Sequence, residues 1–248
     1  MLSPEQLKRL LAVSDTLSPK DAQALVAGLG AEVNGKCVSD GLFWLRFVKT
    51  RDEADPNTPV KPFPVRSKYV DDEAWYLRRL WQDFVDHQVC VVAKSRQMLI
   101  SWAIAAYCVW TARYRPHQAV YFQTQGWPDA VAMTCMPSGG YTGRCQFIED
   151  NLPEWMRVDY KPSEGRIQYP NGSIIQALAG GANQIRGKTV SLYVGDEFAF
   201  QEEQDRVYTA VAPLIQKGAK AVFISTPNGA NNQFSTLWHG RPVGSVTT

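Results

Sequence analysis

A chain of 248 residues with 45% hydrophobic and 20% charged residues has the make-up of a globular protein, one large domain or one domain with a small appendage. That composition excludes a disordered chain, while a formal charge of +2 neither demands nor forbids a nucleic-acid partner, because a few local cations are enough to hold one. Five cysteines without a C-x-x-C pair and three scattered histidines argue against zinc and against a disulfide framework, so buried reduced thiols in a cytosolic protein are expected.

In chain order, residues 3–30 read as two short helices. "SPEQLKRLLAVSD" starts with Ser3 as N-cap and Pro4 in the first helical position, and "SPKDAQALVAGLG" repeats that start and ends on Gly30. They form a small helical N-terminal segment, 1–40, ahead of a main domain, 41–248. The opening "MLSPEQLKRLL" carries early charges and no long apolar core, so it is not a secretory signal, and the chain is not expected to be secreted. From Gly41 to Pro64 an apolar piece, "LFWLRFVKT", gives way to a polar loop or extended arm, "RDEADPNTPVKPFP". "DDEAWYLRRLWQDFVD" has apolar residues at helical spacing. "QVCVVA" is a short buried strand that runs into "AKSRQMLISW". The apolar stretch Met98–Ala112 is short for a membrane span and is followed at once by Arg113 and Arg115, so a buried core helix is expected and no membrane contact. "HQAVYFQTQ" is a second strand, and 127–150 is mostly helix, broken around "PSGGYTG". "RIQYPNGSIIQAL" is a hairpin whose Asn171-Gly172 pair favours a tight primed turn. "TVSLYVGDE" is a strand ending in acid, "EEQDRVYTAVAPLIQ" a helix, and "AKAVFISTPNG" a last strand with a polar exit.

Strands alternating with helices imply an α/β domain with a parallel sheet flanked by helices, and ligands of such sheets bind beyond the carboxyl ends of the strands. The exits at Lys94, Asp196 and Ser225 fall on that edge. The first has the order strand, loop, helix, but the pattern G-x-x-x-x-G-K-[ST] carries Leu99-Ile100 where Gly-Lys would stand before Ser101. Ser101 supplies the hydroxyl for magnesium, and Lys94, with Arg96 as a second candidate, supplies the cation from the front of the loop. Taken alone, this stretch reads equally as a basic turn before a buried helix. In the second exit, Asp196 and Glu197 stand side by side after a buried strand. One suits magnesium and the other suits activation of a water. In the third, Ser225, Thr226 and Asn228 place small polar groups where a γ-phosphate would be sensed; by itself Pro-Asn-Gly is also ordinary turn chemistry.

Together, "KSRQMLISW", "LYVGDEFAF" and "FISTPNG", in this order, resemble the large terminase subunits of tailed bacteriophages, the ATPases that pump viral DNA into an empty capsid. The likeness extends to "VKPFP", "RCQFIEDNLPEW" and "QIRGKTVSLYVGDE", and so covers most of residues 43–235. It implies a P-loop NTPase fold of the ASCE type, with ATP and Mg2+ as cofactors. In some members the critical lysine moves to the front of the loop, as Lys94 does here. By resemblance, Lys94, Ser95, Arg96 and Gln97 meet the phosphates and Ser101 and Asp196 hold magnesium. Glu197 activates water, and Ser225, Thr226 and Asn228 form a coupling motif. The positive charge that phosphoryl transfer needs has two candidates: Arg144, which resembles a finger presented by a neighbouring subunit, and Arg186, which could act within the chain. Trp75, Tyr76 and Arg79 lie where the family places its adenine-binding segment.

The family further implies double-stranded DNA, a portal protein and a small terminase subunit as partners, in the cytoplasm of a host cell. The active form would be a five-membered ring and the isolated chain could be a monomer. No second acidic cluster follows the coupling motif, so a nuclease half is expected to be absent. Lys161, Arg166, Lys188 and Lys217 are candidates for DNA phosphates. Two other readings compete: a degenerate nucleotide-binding or scaffold protein without hydrolysis, supported by Leu99-Ile100, and a helicase-type ATPase, for which 248 residues leave little room.

Overall fold

The computed structural model describes residues 19–51, 60–64, 75–96, 98–136 and 142–240. In chain order the elements are α1 (Pro19–Ser39), α2 (Gly41–Trp44), β1 (Lys49–Thr50), β2 (Lys61–Pro62), α3 (Trp75–Asp86), β3 (Val89–Ala93), α4 (Ile100–Tyr114) and β4 (Ala119–Gln123). There follow α5 (Trp127–Met133), α6 (Arg144–Asp150), β5 (Lys161–Ser163), β6 (Arg166–Gln168), β7 (Ile174–Leu178), β8 (Leu192–Gly195), α7 (Gln204–Gln216), β9 (Lys220–Ser225) and α8 (Gln233–His239).

Strands β3 to β9 form one sheet in the order β3-β9-β8-β4-β7-β6-β5. From β3 to β7 the neighbours are parallel, and β6 and β5 add an antiparallel margin. Both faces are covered, which is why the strands read as unbroken apolar runs. Successive side chains alternate between two cores: Cys90 and Val92 pack with α4 on one face, and Val91 packs with α7 and α8 on the other. Helix α4 is the deepest element. Ala103 to Cys108 are at most 1% exposed, as a core helix lying under a parallel sheet demands.

The sequence places the end of the helix that starts at Pro19 on Gly30, but the helix continues to Ser39. Tertiary contacts override the glycine: Trp110 Nε1 donates to Cys37 O at 2.8 Å and Tyr114 Oη donates to Asn34 Oδ1 at 3.0 Å, fastening the last turns to α4. The expected helix over "SPEQLKRLLAVSD" lies outside the described residues. The hairpin β6–β7 forms, but its turn is not a primed one. Only Gly172 has a left-handed φ, +83°, and Pro170-Asn171 occupy the centre, with Gly172 N–H donating to Tyr169 O at 3.1 Å. Proline fixes the centre of that turn, and Asn171 is put to other use: its Nδ2 donates to the carbonyls of Ala112, Arg113 and Arg115, closing the end of α4. All five cysteines are free and buried, and burial pushes the Cys37 thiol up to about 11 and Cys90 up to about 12.

A buried ion pair ties α4 to α6. Arg113 Nη1 lies 2.6 Å from Glu149 Oε2, with side chains 3% and 0% exposed, and Tyr169 Oη donates to Glu149 Oε1 at 2.9 Å. Glu149→Ala leaves the guanidinium buried without its counter-ion and is expected to cost about 3–5 kcal/mol. Arg206→Ala, which removes an exposed pair with Glu203, should change stability by less than about 1 kcal/mol. Urea unfolding of both variants checks the contrast; equal losses would show that the buried pair is not held as described.

Candidate nucleotide-binding site

Three strand exits converge at the carboxyl edge of the sheet. The register of β3 with β9 sets Ala93 opposite Ser225, and Lys94 N–H donates to Ser225 O at 2.9 Å. Strand β8, on the other side of β9, delivers Asp196 and Glu197. Lys94 Nζ lies 3.1 Å from Asp196 Oδ1, 3.2 Å from Glu197 Oε1 and 3.3 Å from Ser101 Oγ. Ser101 Oγ in turn donates to Asp196 Oδ2 at 3.3 Å. One ammonium thus neutralises two adjacent carboxylates in a place where Lys94 and Asp196 are only 10% and 7% exposed. Thr226 Oγ1 donates to the other Glu197 oxygen at 3.4 Å, while Asn228 Nδ2 and the Ser225 hydroxyl hold the two sides of the Ala199 peptide.

Above this cluster opens a cleft of about 770 Å³ lined by Lys94, Ser95, Arg96, Ser101, Arg144, Glu197 and Thr226. Its floor is the N-terminus of α4. Leu99 precedes that helix and offers no side-chain cap, so the first amides face the cleft without one. Leu99 stands in the left-handed region, φ 55° and ψ 12°, and so does Glu197 at φ 48°. Non-glycine residues held there carry about 1–2 kcal/mol of strain, and such strain gathers where geometry serves a site.

Arg144 opens α6 and reaches the cleft within its own chain. Its guanidinium sits 5.9 Å from the Trp102 ring centroid and Nη1 donates to Met133 Sδ. Gly143 allows this placement: a Cβ there would stand 2.5 Å from the Thr134 backbone, so only glycine lets α6 begin so close to the end of α5. Arg186 is exposed and does not line the cleft. Gln97 lies outside the described residues. Of the proposed adenine segment, Trp75, Tyr76 and Arg79 do not line the cleft; Tyr76 Oη donates to Met98 O at 3.1 Å and steadies the loop, and Arg79 pairs with Asp83. Lys161 and Arg166 lie on the antiparallel margin and Lys188 sits over the Tyr121 ring.

Some members of the site carry little or no sequence signal: of the cleft's roof only the "VKPFP" stretch belongs to the family likeness, and it gives no role to its residues. Thr50, Arg51, Lys61 and Pro62, from the β1–β2 ribbon, roof the cleft, and Arg51 also lies 4.9 Å from the Phe147 ring centroid. Gln201 Nε2 donates to Asp196 O and Gln123 O, while Gln123 Nε2 donates to Ala179 O and Gly181 O. This buried amide network fixes the acidic exit. The terminal polar residue of "AVYFQ", inside an otherwise apolar strand, is its one visible trace in the sequence.

For a magnesium ion, Ser101 Oγ and Asp196 Oδ2 converge from a helix start and a strand end, a small oxygen donor set that suits an ion keeping most of its waters. Among the described residues no group of three or more His, Cys, Asp or Glu gathers into an all-protein metal cage.

A strand inserted between the loop strand and the acid strand, with all exits on one edge, defines an α/β domain of the P-loop NTPase class, ASCE type. The sequence profile of the family described as "Terminase large subunit, T4likevirus-type, N-terminal" matches residues 74–242. The chain belongs to that family. It is similar to the probable terminase large subunit gp28 of Escherichia phage Mu, 30% identical over 170 residues that cover 64% of this chain and 30% of the Mu protein. This chain therefore matches less than a third of that relative's length. Its fold resembles the large terminase from a thermophilic bacteriophage in complex with ADP, with a TM-score of 0.54 at 12% identity, over 71% of this chain and 44% of that one. The ATPase domain of the Thermus phage P74-26 large terminase matches with a TM-score of 0.46 at 17% identity, over 61% and 66%. Among the described residues no helix is long and apolar enough to cross a membrane.

The backbone at Leu99 yields a test of the loop. Leu99→Val puts a β-branched side chain at positive φ and is expected to cost at least about 1 kcal/mol more than Leu99→Gly, which relieves strain as it gives up packing. Thermal unfolding followed by circular dichroism measures the difference, and a valine variant as stable as the glycine one would place position 99 outside the left-handed region.

Proposed function

We propose that this chain is an ATP-hydrolysing motor domain of a viral large terminase that drives double-stranded DNA into a procapsid. The observation that carries the reading is the meeting of Lys94, Ser101, Asp196 and Glu197 at the N-terminus of α4. In this reading the β- and γ-phosphates of ATP lie over the first amides of α4. Lys94 leaves the carboxylates for the phosphate oxygens, and Arg96 and Ser95 face the same anion. Ser101 and Asp196 hold Mg2+, which neutralises charge on the phosphate oxygens when bound. Once Lys94 has moved, Glu197 is free to accept a proton from the attacking water. Its link to Thr226 lets the loss of the γ-phosphate reach β9, with Ser225 and Asn228 passing the change to the Ala199 peptide.

Arg144 supplies the positive charge that builds on the γ-phosphate in the transition state. Its place in the cleft supports action within one chain, whereas the family likeness assigns it to a neighbour's site in a five-membered ring. Duplex DNA, a portal protein and a small terminase subunit, met inside a host cell, complete the proposal.

Turnover of ATP by the purified chain, with and without duplex DNA, tests it. Lys94→Ala and Glu197→Gln should each lower turnover by about 10²-fold or more, and Arg144→Ala by about 10³-fold or more. Mixing Lys94→Ala with Arg144→Ala restores activity only if neighbours lend Arg144. ATP binding without turnover under every condition, DNA included, would favour a nucleotide-holding scaffold, and strand displacement would favour a helicase.

A further inference from the structure

At the opposite edge of the sheet lies a second recess of about 340 Å³, below the starts of β4, β8 and β9 and against the last turns of α4. Three cations line it: Arg115, Lys217 and Lys220. Among the described residues no carboxylate does. Tyr107 and Thr111, one helical turn apart on α4, line it; they are 0% and 3% exposed, their hydroxyls are neighbours, and neither makes a hydrogen bond of normal geometry. A buried hydroxyl without a partner carries its full desolvation cost, and two together in one cationic recess are anomalous unless something completes them. Burial pushes the Tyr107 phenol up to about 12, against the opposing pull of Arg115 and the neighbouring Thr111, so it keeps its proton and can only gain by donating it.

The lysines and the arginine play different parts. Lys220 is spent on structure: its Nζ donates to the carbonyls of Phe84, Val85 and His87 at the end of α3, so it contributes field and no free donor. Arg115 stacks 4.8 Å from the Trp110 ring centroid, which holds the guanidinium at the rim. Lys217 is exposed at the mouth. Buried O–H donors at the bottom and cations at the rim make a receptor for a small oxyanion. A water molecule would satisfy the hydroxyls but would bring no negative charge to Arg115 and Lys217.

We infer that this recess binds a phosphate-class oxyanion, at a site separate from the nucleotide cleft and joined to it by α4. The same chemistry is offered by free inorganic phosphate and by the backbone phosphate of a nucleic acid.

Thermal unfolding with added sodium phosphate, in an otherwise phosphate-free buffer, tests the inference. Phosphate at ten times its Kd should raise Tm by roughly 3–5 °C. The rise should persist in Lys94→Ala, which weakens the nucleotide cleft, and fall below a fifth when Arg115→Gln and Lys217→Gln are added to that chain. Tyr107→Phe should melt no lower than the parent without phosphate, since its hydroxyl has no well-formed hydrogen bond to lose, yet should lose most of the phosphate response. The inference is overturned by a rise that survives in the Lys94→Ala, Arg115→Gln, Lys217→Gln chain, by no rise at all, or by a Tyr107→Phe chain that is already weakened without phosphate. With the recess established, duplex DNA in place of phosphate identifies the source. A stabilisation removed by the same variants means a nucleic-acid backbone, and none means the free anion.

Discussion

The register of β9 between β3 and β8 sets every distance at the site. Neighbouring strands lie about 4.8 Å apart, so Lys94 and Asp196 leave the sheet roughly 10 Å from each other. The lysine and aspartate side chains together bridge that gap, meeting at 3.1 Å. Slipping β9 by one residue would exchange its two buried faces, sending Phe223 into the α4 core and Ile224 into the α7 core. That is why the register is secure without any help from the polar groups. The apolar layers fix the strands, and the strands deliver the charges.

Helix α4 is the second fixed part. Its N-terminus floors the nucleotide cleft, its middle is entirely core, and its end is closed by Asn171 and anchored through Arg113 to Glu149. Departure from the common loop pattern is intelligible against this helix. At the place of the usual lysine stands Ile100, which is 6% exposed and packs in the α4 core. Burial of such a side chain contributes about 1.5–3 kcal/mol, comparable with or larger than the strain held at Leu99. The glycine-type backbone is kept by a leucine, and the ammonium is delivered from Lys94 instead. The loop has moved its charge from the helix to the strand.

Much of this was legible because parallel strands and amphipathic helices leave regular traces. The runs ending at Lys94, Asp196 and Ser225 are short, apolar and followed by polar turns, and the α/β rule then puts all three on one edge. What stayed hidden depends on contacts between distant residues. Gly30 reads as a helix end, yet Trp110 and Tyr114 carry the helix past it. Asn171-Gly172 reads as a primed turn, but Asn171 is needed as a cap for α4. Arg51 comes from an irregular segment with no periodicity, and Lys61 from the "VKPFP" stretch, which belongs to the likeness but says nothing of what it covers.

Charge shows the same limit of composition. The whole chain is nearly neutral, at +2, yet the described residues that line the nucleotide cleft include Arg51, Lys61, Lys94, Arg96 and Arg144 against Glu197 alone. A walled cleft with one sign of charge focuses its field, so a near-neutral protein can still concentrate a polyanion at one place. The Lys94 contact tempers that field: it satisfies Asp196 and Glu197, which would otherwise repel each other. In the proposed mechanism a bound polyphosphate takes the lysine and returns both carboxylates to the reaction. Asp196, almost buried, and Glu197, 40% exposed, can therefore stand side by side because a single cation lies against both.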